Sequence, residues 1–214
     1  MRARGRAAID RDQDASPFSA ILWRLCEGCG AHAAALVDRE GETVDYAGRI
    51  SPYEIRVAAA ELRLILAFTH EAQVAGFARV SEIRVRTGRR SYAVIALGDG
   101  YAIVLELVRH SFSVSPRAVL QATRELEQEA GIESVLLPGG TRWTRVEVRA
   151  SSADRRRPDA VWLDGAWQAV TVLGRYRSGD LAPRERGFLA RLANGAEFSL
   201  VREPLGFWFA DGLS

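Results

Sequence analysis

The sequence predicts an α+β protein: a five-stranded antiparallel sheet carrying three helices, followed by a small all-β domain. Three observations predict this. Ser-Pro dipeptides open three helical segments, five strand-like runs lie between them, and helical periodicity stops at Pro138-Gly139-Gly140. Four of the five tryptophans (143, 162, 167 and 208) fall beyond that point.

The elements follow in order. Ser16-Pro17, Ser51-Pro52 and Ser115-Pro116 each put an N-cap hydroxyl before a proline at the first helical position. SPYE reads as a full capping box, with Glu54 three residues after Ser51. The first helix has one apolar stripe, Phe18, Ile21, Leu22 and Leu25. The third sets Val119, Ala122, Leu126 and Ala130 against Arg117, Arg124, Glu125 and Glu127. Each needs only one buried side. HAAALV (32–37) and ETVDYA (42–47) form a hairpin around DREG. VSEIRVRT (80–87) alternates, and SYAVIAL (91–97) and YAIVLELV (101–108) flank Gly98-Asp99-Gly100. The order is α-β-β-α-β-β-β-α. After it, RWTRVEVRA, AVWL, AWQAVTVLGRY, GFLARLA and AEFSLVRE read as short strands turned by Asp164-Gly165 and Asn194-Gly195, the pattern of a small, SH3-like barrel. The expected division is a flexible tail over 1–15, a first domain over 16–134 and a β-domain over 141–214.

The middle helix, Pro52 to about Thr69, has two apolar sides. At 100° per residue Ile55, Ala58, Ala59, Leu62, Leu66 and Thr69 share one stripe, and Val57, Ala60, Leu64, Ala67 and Phe68 share the opposite one. Arg56 and Arg63 mark one boundary between the stripes, Glu54 and Glu61 the other. One sheet covers only the first stripe. Burying Val57, Leu64 and Phe68 is worth on the order of 1.5–3 kcal/mol each, so the second stripe calls for a partner or for another part of the chain.

Composition narrows the function. All 29 basic residues are arginine, which excludes a phosphate-binding loop with its lysine and excludes lysine Schiff-base chemistry. A net charge of +2 predicts no nucleic-acid partner, and no apolar run reaches membrane-spanning length. The opening MRARGRAAIDRDQD has no signal-peptide core, so a cytoplasmic protein is expected. Cys26, Cys29 and His32 have the spacing of a partial metal or redox site. The cysteines sit at a helix C-terminus, however, where the dipole disfavours thiolate, so buried structural thiols are expected and no metal or cofactor. His70 reads as a helix-end cap. His110-Ser111 lacks a nucleophile elbow. The Arg155-Arg156-Arg157 run resembles the arginine motif of PilZ-type barrels, but that family's second motif is missing, and a solvated loop is the expectation. No catalytic residue is assigned: the sequence points to a binding protein rather than an enzyme.

The AALVDREGETVDYAG hairpin (34–48), the alanine-rich helix after it, three strands with a glycine-bracketed turn and a closing helix together resemble the roadblock/LC7 family, over about residues 16–132. The resemblance implies a homodimer, or a heterodimer with a similar chain, in which the middle helices meet and the third strands join the sheets. It also implies a platform for a Ras-like small GTPase, acting as a GTPase-activating or scaffolding partner in bacterial polarity, motility or signalling. Carried onto this chain, the partner surface is Val57, Ala60, Leu64, Ala67 and Phe68 with Arg56 and Arg63. The sheet edge is the third strand, with Glu82, Arg84 and Arg86. The β-domain is expected to hold a further protein ligand. Arg89 and Arg90 are the exposed candidates for an arginine finger, and ordinary turn charges are the preferred reading. The competing classes are a PAS- or GAF-like ligand sensor, which needs a polar-lined pocket under the helix, and a structural assembly subunit without a GTPase.

Overall fold

The computed structural model describes residues 12, 14–71, 80–108, 114–132, 143–177, 181 and 184–213. The expected tail lies almost wholly outside these residues. His110-Ser111 and the Pro138-Gly139-Gly140 boundary lie outside them too. The chain divides into two compact units, Met1–Val114 with Ala118–Leu137, and Ser115–Arg117 with Pro138–Ser214.

The first unit begins with α1, Pro17–Cys29. Ser16 caps it reciprocally with Ser19: the Ser16 hydroxyl accepts the Ser19 N–H, and the Ser16 N–H donates to the Ser19 hydroxyl at 3.0 Å. Gly30, in the left-handed region at φ 62°, stops the helix by turning its N–H back to the Cys26 carbonyl. The hairpin of β1 (Ala33–Val37) and β2 (Thr43–Gly48) follows, then α2 (Pro52–Glu71), β3 (Glu82–Arg86), β4 (Ser91–Ala96), β5 (Ala102–Leu107) and α3 (Pro116–Ala130), whose first two residues belong to the second unit. All strand pairs are antiparallel and the sheet order is β2-β1-β5-β4-β3. This is the arrangement of three helices and five strands that the roadblock/LC7 resemblance implies.

Period-two alternation divides the core into two layers. Ala34 and Leu36 of β1 and Ile103, Leu105 and Leu107 of β5 face Ile21, Leu22 and Leu25 of α1 and Ala122 and Leu126 of α3. Ala33, Ala35, Val37, Tyr92, Val94 and Val104 face Ile55, Ala59, Leu62 and Leu66 of α2 on the other side. The central strands therefore read as unbroken apolar runs rather than alternating ones, because helices bury both faces. Gly48 ends β2 at φ 139°, against the β1 backbone; a Cβ there would lie 2.4 Å from the Ala33 Cα.

The second unit contains β6 (Thr144–Val146), β7 (Val148–Ala150), β8 (Pro158–Leu163), β9 (Ala166–Gly174), β10 (Arg186–Leu192), β11 (Glu197–Arg202) and β12 (Trp208–Asp211). They form one sheet in the order β6-β12-β11-β10-β9-β8-β7. Only Glu147 separates β6 from β7, and its carbonyl accepts the Trp162 N–H at 2.9 Å. One bent strand thus leaves β12 and joins β8, and the sheet nearly closes into a barrel around Val161, Ala190, Phe198, Leu200 and Trp208. Asp164 and Gly165, at φ 51° and 80°, make the two-residue turn that their sequence predicts.

Candidate partner-docking surface

On α2, burial separates the two stripes. Ile55, Ala59, Leu62 and Leu66 are buried against the sheet, while Val57 is 38%, Leu64 53% and Phe68 67% exposed. Ala60 and Ala67 are half-buried beside them. Tyr53, at 74% exposure, extends the stripe by one turn. Residues 53, 57, 60, 64 and 67 are spaced four, three, four, three, which is the spacing of a coiled-coil seam. The two alanines leave the seam low enough for another backbone to approach. Sequence reasoning left out Tyr53, although its place four residues before Val57 was the available signal. Ile65, 44% exposed, lies outside both stripes.

The two arginines expected beside this surface are occupied within the chain. Arg63 is buried, and its Nε donates to the Gly100 carbonyl at 2.9 Å, so it belongs to the core side of α2. That carbonyl comes from the turn between β4 and β5, which a helical wheel alone does not reveal. Arg56 pairs with the Asp12 carboxylate at 2.9 Å and lies over the Tyr46 ring at 5.1 Å. The Tyr46 hydroxyl also donates to Asp12, and this bond, ahead of the nearby Arg56 charge, holds the Asp12 carboxyl below its ordinary range. What remains outward on α2 is therefore mainly apolar, bounded by the exposed Glu54 and Glu61.

β3 is an edge strand of the sheet, paired with β4 through Glu82↔Ile95 to Arg86↔Ser91. Ile83 and Val85 pack into the α2-side layer, and Glu82, Arg84 and Arg86 are exposed. Arg84 Nε bonds Glu82 Oε1 at 2.6 Å. Any strand added here would be held by backbone groups, with these side chains standing off the sheet rather than pointing along the ladder.

The β3–β4 turn carries the two finger candidates. Arg90 is committed inward: it donates to Glu106 Oε2 at 2.7 Å and to Glu54 Oε1 at 3.0 Å. Burial works against its charge, but these bonds hold its pKa above the ordinary arginine value. Glu54, expected to close a capping box with Ser51, thus serves Arg90. Glu106 lies buried in β5, also 3.7 Å from His32 Nδ1; burial of Tyr92, and after it the Glu106 charge, push that phenol's pKa up. Arg89 is exposed.

The cysteines are core residues. Cys26 and Cys29 are buried thiols in the α1 layer, and burial, reinforced by the neighbouring Cys29, pushes the Cys26 pKa up to about 12. Among the described residues no group of three or more His, Cys, Asp or Glu is placed to hold a metal, and no helix is long and apolar enough to cross a membrane.

No family model matches the chain, and no curated protein matches it. Among solved structures it is similar to Myxococcus xanthus MglB, with a TM-score of 0.48 and 18% identity over 56% of this chain and 98% of that one. It is similar to the gliding protein MglB from Thermus thermophilus at TM-score 0.46 and 19% identity, over 57% and 98% of the two chains. The roadblock/LC7 domain from Streptomyces avermitilis gives 0.42 and 13%, over 53% and 93%.

Proposed function

We propose that this chain is a dimeric, non-enzymatic regulator or scaffold of roadblock/LC7 type that docks a Ras-like small GTPase. The observation that carries the reading is the outward stripe of α2. Val57, Leu64 and Phe68 stay exposed on a helix whose other side is already filled by the sheet. An apolar surface of this kind on a rigid helix serves association rather than stability of the single chain. Two copies of α2 meet across a two-fold axis, β3 edges extend the sheet, and the composite surface receives the GTPase. Arg90 is tied to Glu54 and Glu106, so a regulator of this construction acts by repositioning the GTPase's own switch residues and not through that side chain.

The ligand-sensor reading is disfavoured by packing. The space between α2 and the sheet is occupied by Ile55, Ala59, Leu62 and Leu66, and the buried charged groups on that side are engaged within the chain, Arg63 with the Gly100 carbonyl and Glu106 with Arg90. The test is direct capture. The immobilised protein is exposed to each purified small GTPase of its host, loaded with GDP or with a non-hydrolysable GTP analogue, and binding is followed by interferometry. Capture that depends on the nucleotide supports the proposal. Absence of capture in both states rejects the GTPase partner and leaves an assembly subunit.

A further inference from the structure

A cleft of about 400 Å³ in the second unit is lined by Arg157, Arg175, Arg177 and Arg186 together with Tyr176 and Phe188. Local structure assembles it. Gly187 of β10 lacks a side chain where Tyr176 crosses it; a Cβ would meet the Tyr176 carbonyl oxygen at 2.5 Å. The Tyr176 N–H donates to the Gly187 carbonyl at 3.1 Å, and the Tyr176 ring stacks edge-on with Trp143 at 5.9 Å. The segment carrying Arg175 and Arg177 is thereby pinned beside Arg186. Across the cleft, the Asp154 carboxylate accepts the Arg156 N–H and its carbonyl accepts the Arg157 N–H, both at 2.9 Å, forming a turn that fixes Arg157.

The charge here is unbalanced. All four arginines are exposed, and among the described residues none has a carboxylate partner. Of the two acids at the cleft, Glu185 is turned into the unit's interior, where its wholly buried carboxylate pairs with Arg117. Among the described residues, Asp154 is the one acid left at the cleft to oppose four guanidinium groups. Elsewhere in the same unit an exposed arginine on the barrel wall finds its acid, as Arg191 does with Glu197 at 2.6 Å. Four like charges converging on one concavity repel one another unless an anion joins them, and concave walls focus their field. Guanidinium forks match phosphate oxygens two at a time. The volume is that of a small-molecule site, and Tyr176 and Phe188 give it an apolar wall.

We propose that this cleft binds a small ligand bearing more than one phosphate charge, with its organic part against Tyr176 and Phe188. The site is separate from the α2 surface, and its occupancy does not depend on the GTPase reading. The phosphate could come from a soluble molecule of nucleotide size or from a lipid headgroup, and the test has an arm for each. Titration calorimetry on the full chain uses inorganic pyrophosphate and adenosine diphosphate; co-sedimentation uses phosphatidylcholine vesicles with and without phosphatidic acid. The expected result is saturable binding in one arm that weakens about tenfold or more in Arg175→Gln/Arg177→Gln. It should survive in Arg155→Gln/Arg156→Gln, which removes the same charge from the exposed residues just before Arg157 but outside the cleft lining. Arg157→Gln is the second cleft variant, should the first alter the melting temperature. Pyrophosphate or nucleotide binding assigns a soluble ligand. Vesicle capture alone, dependent on phosphatidic acid, assigns a headgroup. No binding in either arm, or equal loss in the Arg155/Arg156 control, overturns the site.

Discussion

Replacing Leu64 by arginine separates association from folding. Leu64 is 53% exposed on the stripe facing away from the sheet. Full burial of a leucine side chain is worth about 1.5–3 kcal/mol, so covering its exposed half in a dimer contributes about 1 kcal/mol per copy. In the proposed dimer two copies meet across a two-fold axis, so the substitution removes about 2 kcal/mol of apolar contact. It also places unpaired guanidinium groups in a dry seam, at a further cost of about 3–5 kcal/mol. The sum raises the dimer dissociation constant by at least about three orders of magnitude. Within the single chain both residues are strong helix formers and the site is solvent-facing, so folding stability should change by no more than about 0.5 kcal/mol, or about 1–2 °C in melting temperature. Light scattering after size exclusion at about 100 µM should give twice the chain mass for the native protein and a single chain mass for Leu64→Arg, with nearly coincident melting curves. A native protein of single-chain mass, or a variant that keeps the double mass, refutes the assignment of this stripe as the seam.

Two further outcomes test the fold. Gly48→Ala must place a Cβ 2.4 Å from the Ala33 backbone at φ 139°, and should destabilise the first unit by about 2–4 kcal/mol in denaturant melts, whereas Gly41→Ala in the open hairpin turn suffers only the positive-φ penalty. For Cys26 the folded pKa of about 12 stands above an ordinary value of 9.0, so between those limits the unfolded chain loses the thiol proton first. Stability is therefore retained below pH about 9 and falls towards pH 12, by up to about 1.4 kcal/mol per pH unit, and Cys26→Ala should remove this component of the pH slope.

The first unit was legible because its signals are local. Ser-Pro caps, hairpin turns and apolar periodicity each act over a few residues, and they agree with one another along 17–130. The outward stripe of α2 was legible for the same reason: Val57, Leu64 and Phe68 follow from helical geometry alone. Arg56 and Arg63 were not, since what each binds is a tertiary fact. Arg63 turns inward because Gly100, 37 residues away in sequence, offers a carbonyl, and Arg56 answers to Asp12, 44 residues away. Glu106 hid inside an apolar strand because its compensating charge, Arg90, arrives from a neighbouring turn. In the second unit β12 is only four residues long, too short for periodicity to register, and the bend at Glu147 splits what reads as one strand. The arginine cleft shows the same limit. The visible run was Arg155 to Arg157, but the fold selects Arg157 from it and joins it to Arg175, Arg177 and Arg186.

In the proposed dimer the stripe on α2 and the edge at β3 have different physical roles. Backbone pairing at an exposed edge is indiscriminate, and a charged strand such as Glu82-Ile83-Arg84-Val85-Arg86 guards against it. An antiparallel match of two such strands centred on Arg84 sets Glu82 of each copy opposite Arg86 of the other, which is favourable, but sets the two Arg84 side chains opposite each other, which is not. The bond from each Arg84 to its own Glu82 relieves that repulsion only in part. Edge pairing alone is therefore weak, and the apolar seam must bring the strands together before their register can form. On the proposed reading, association energy would lie in Val57, Leu64 and Phe68, and the β3 charges would select the partner and its alignment. A similar chain with a complementary residue at the position of Arg84 would pair better than a second copy of this one, so in the proposed dimer the edge, not the seam, would set the choice between homodimer and heterodimer.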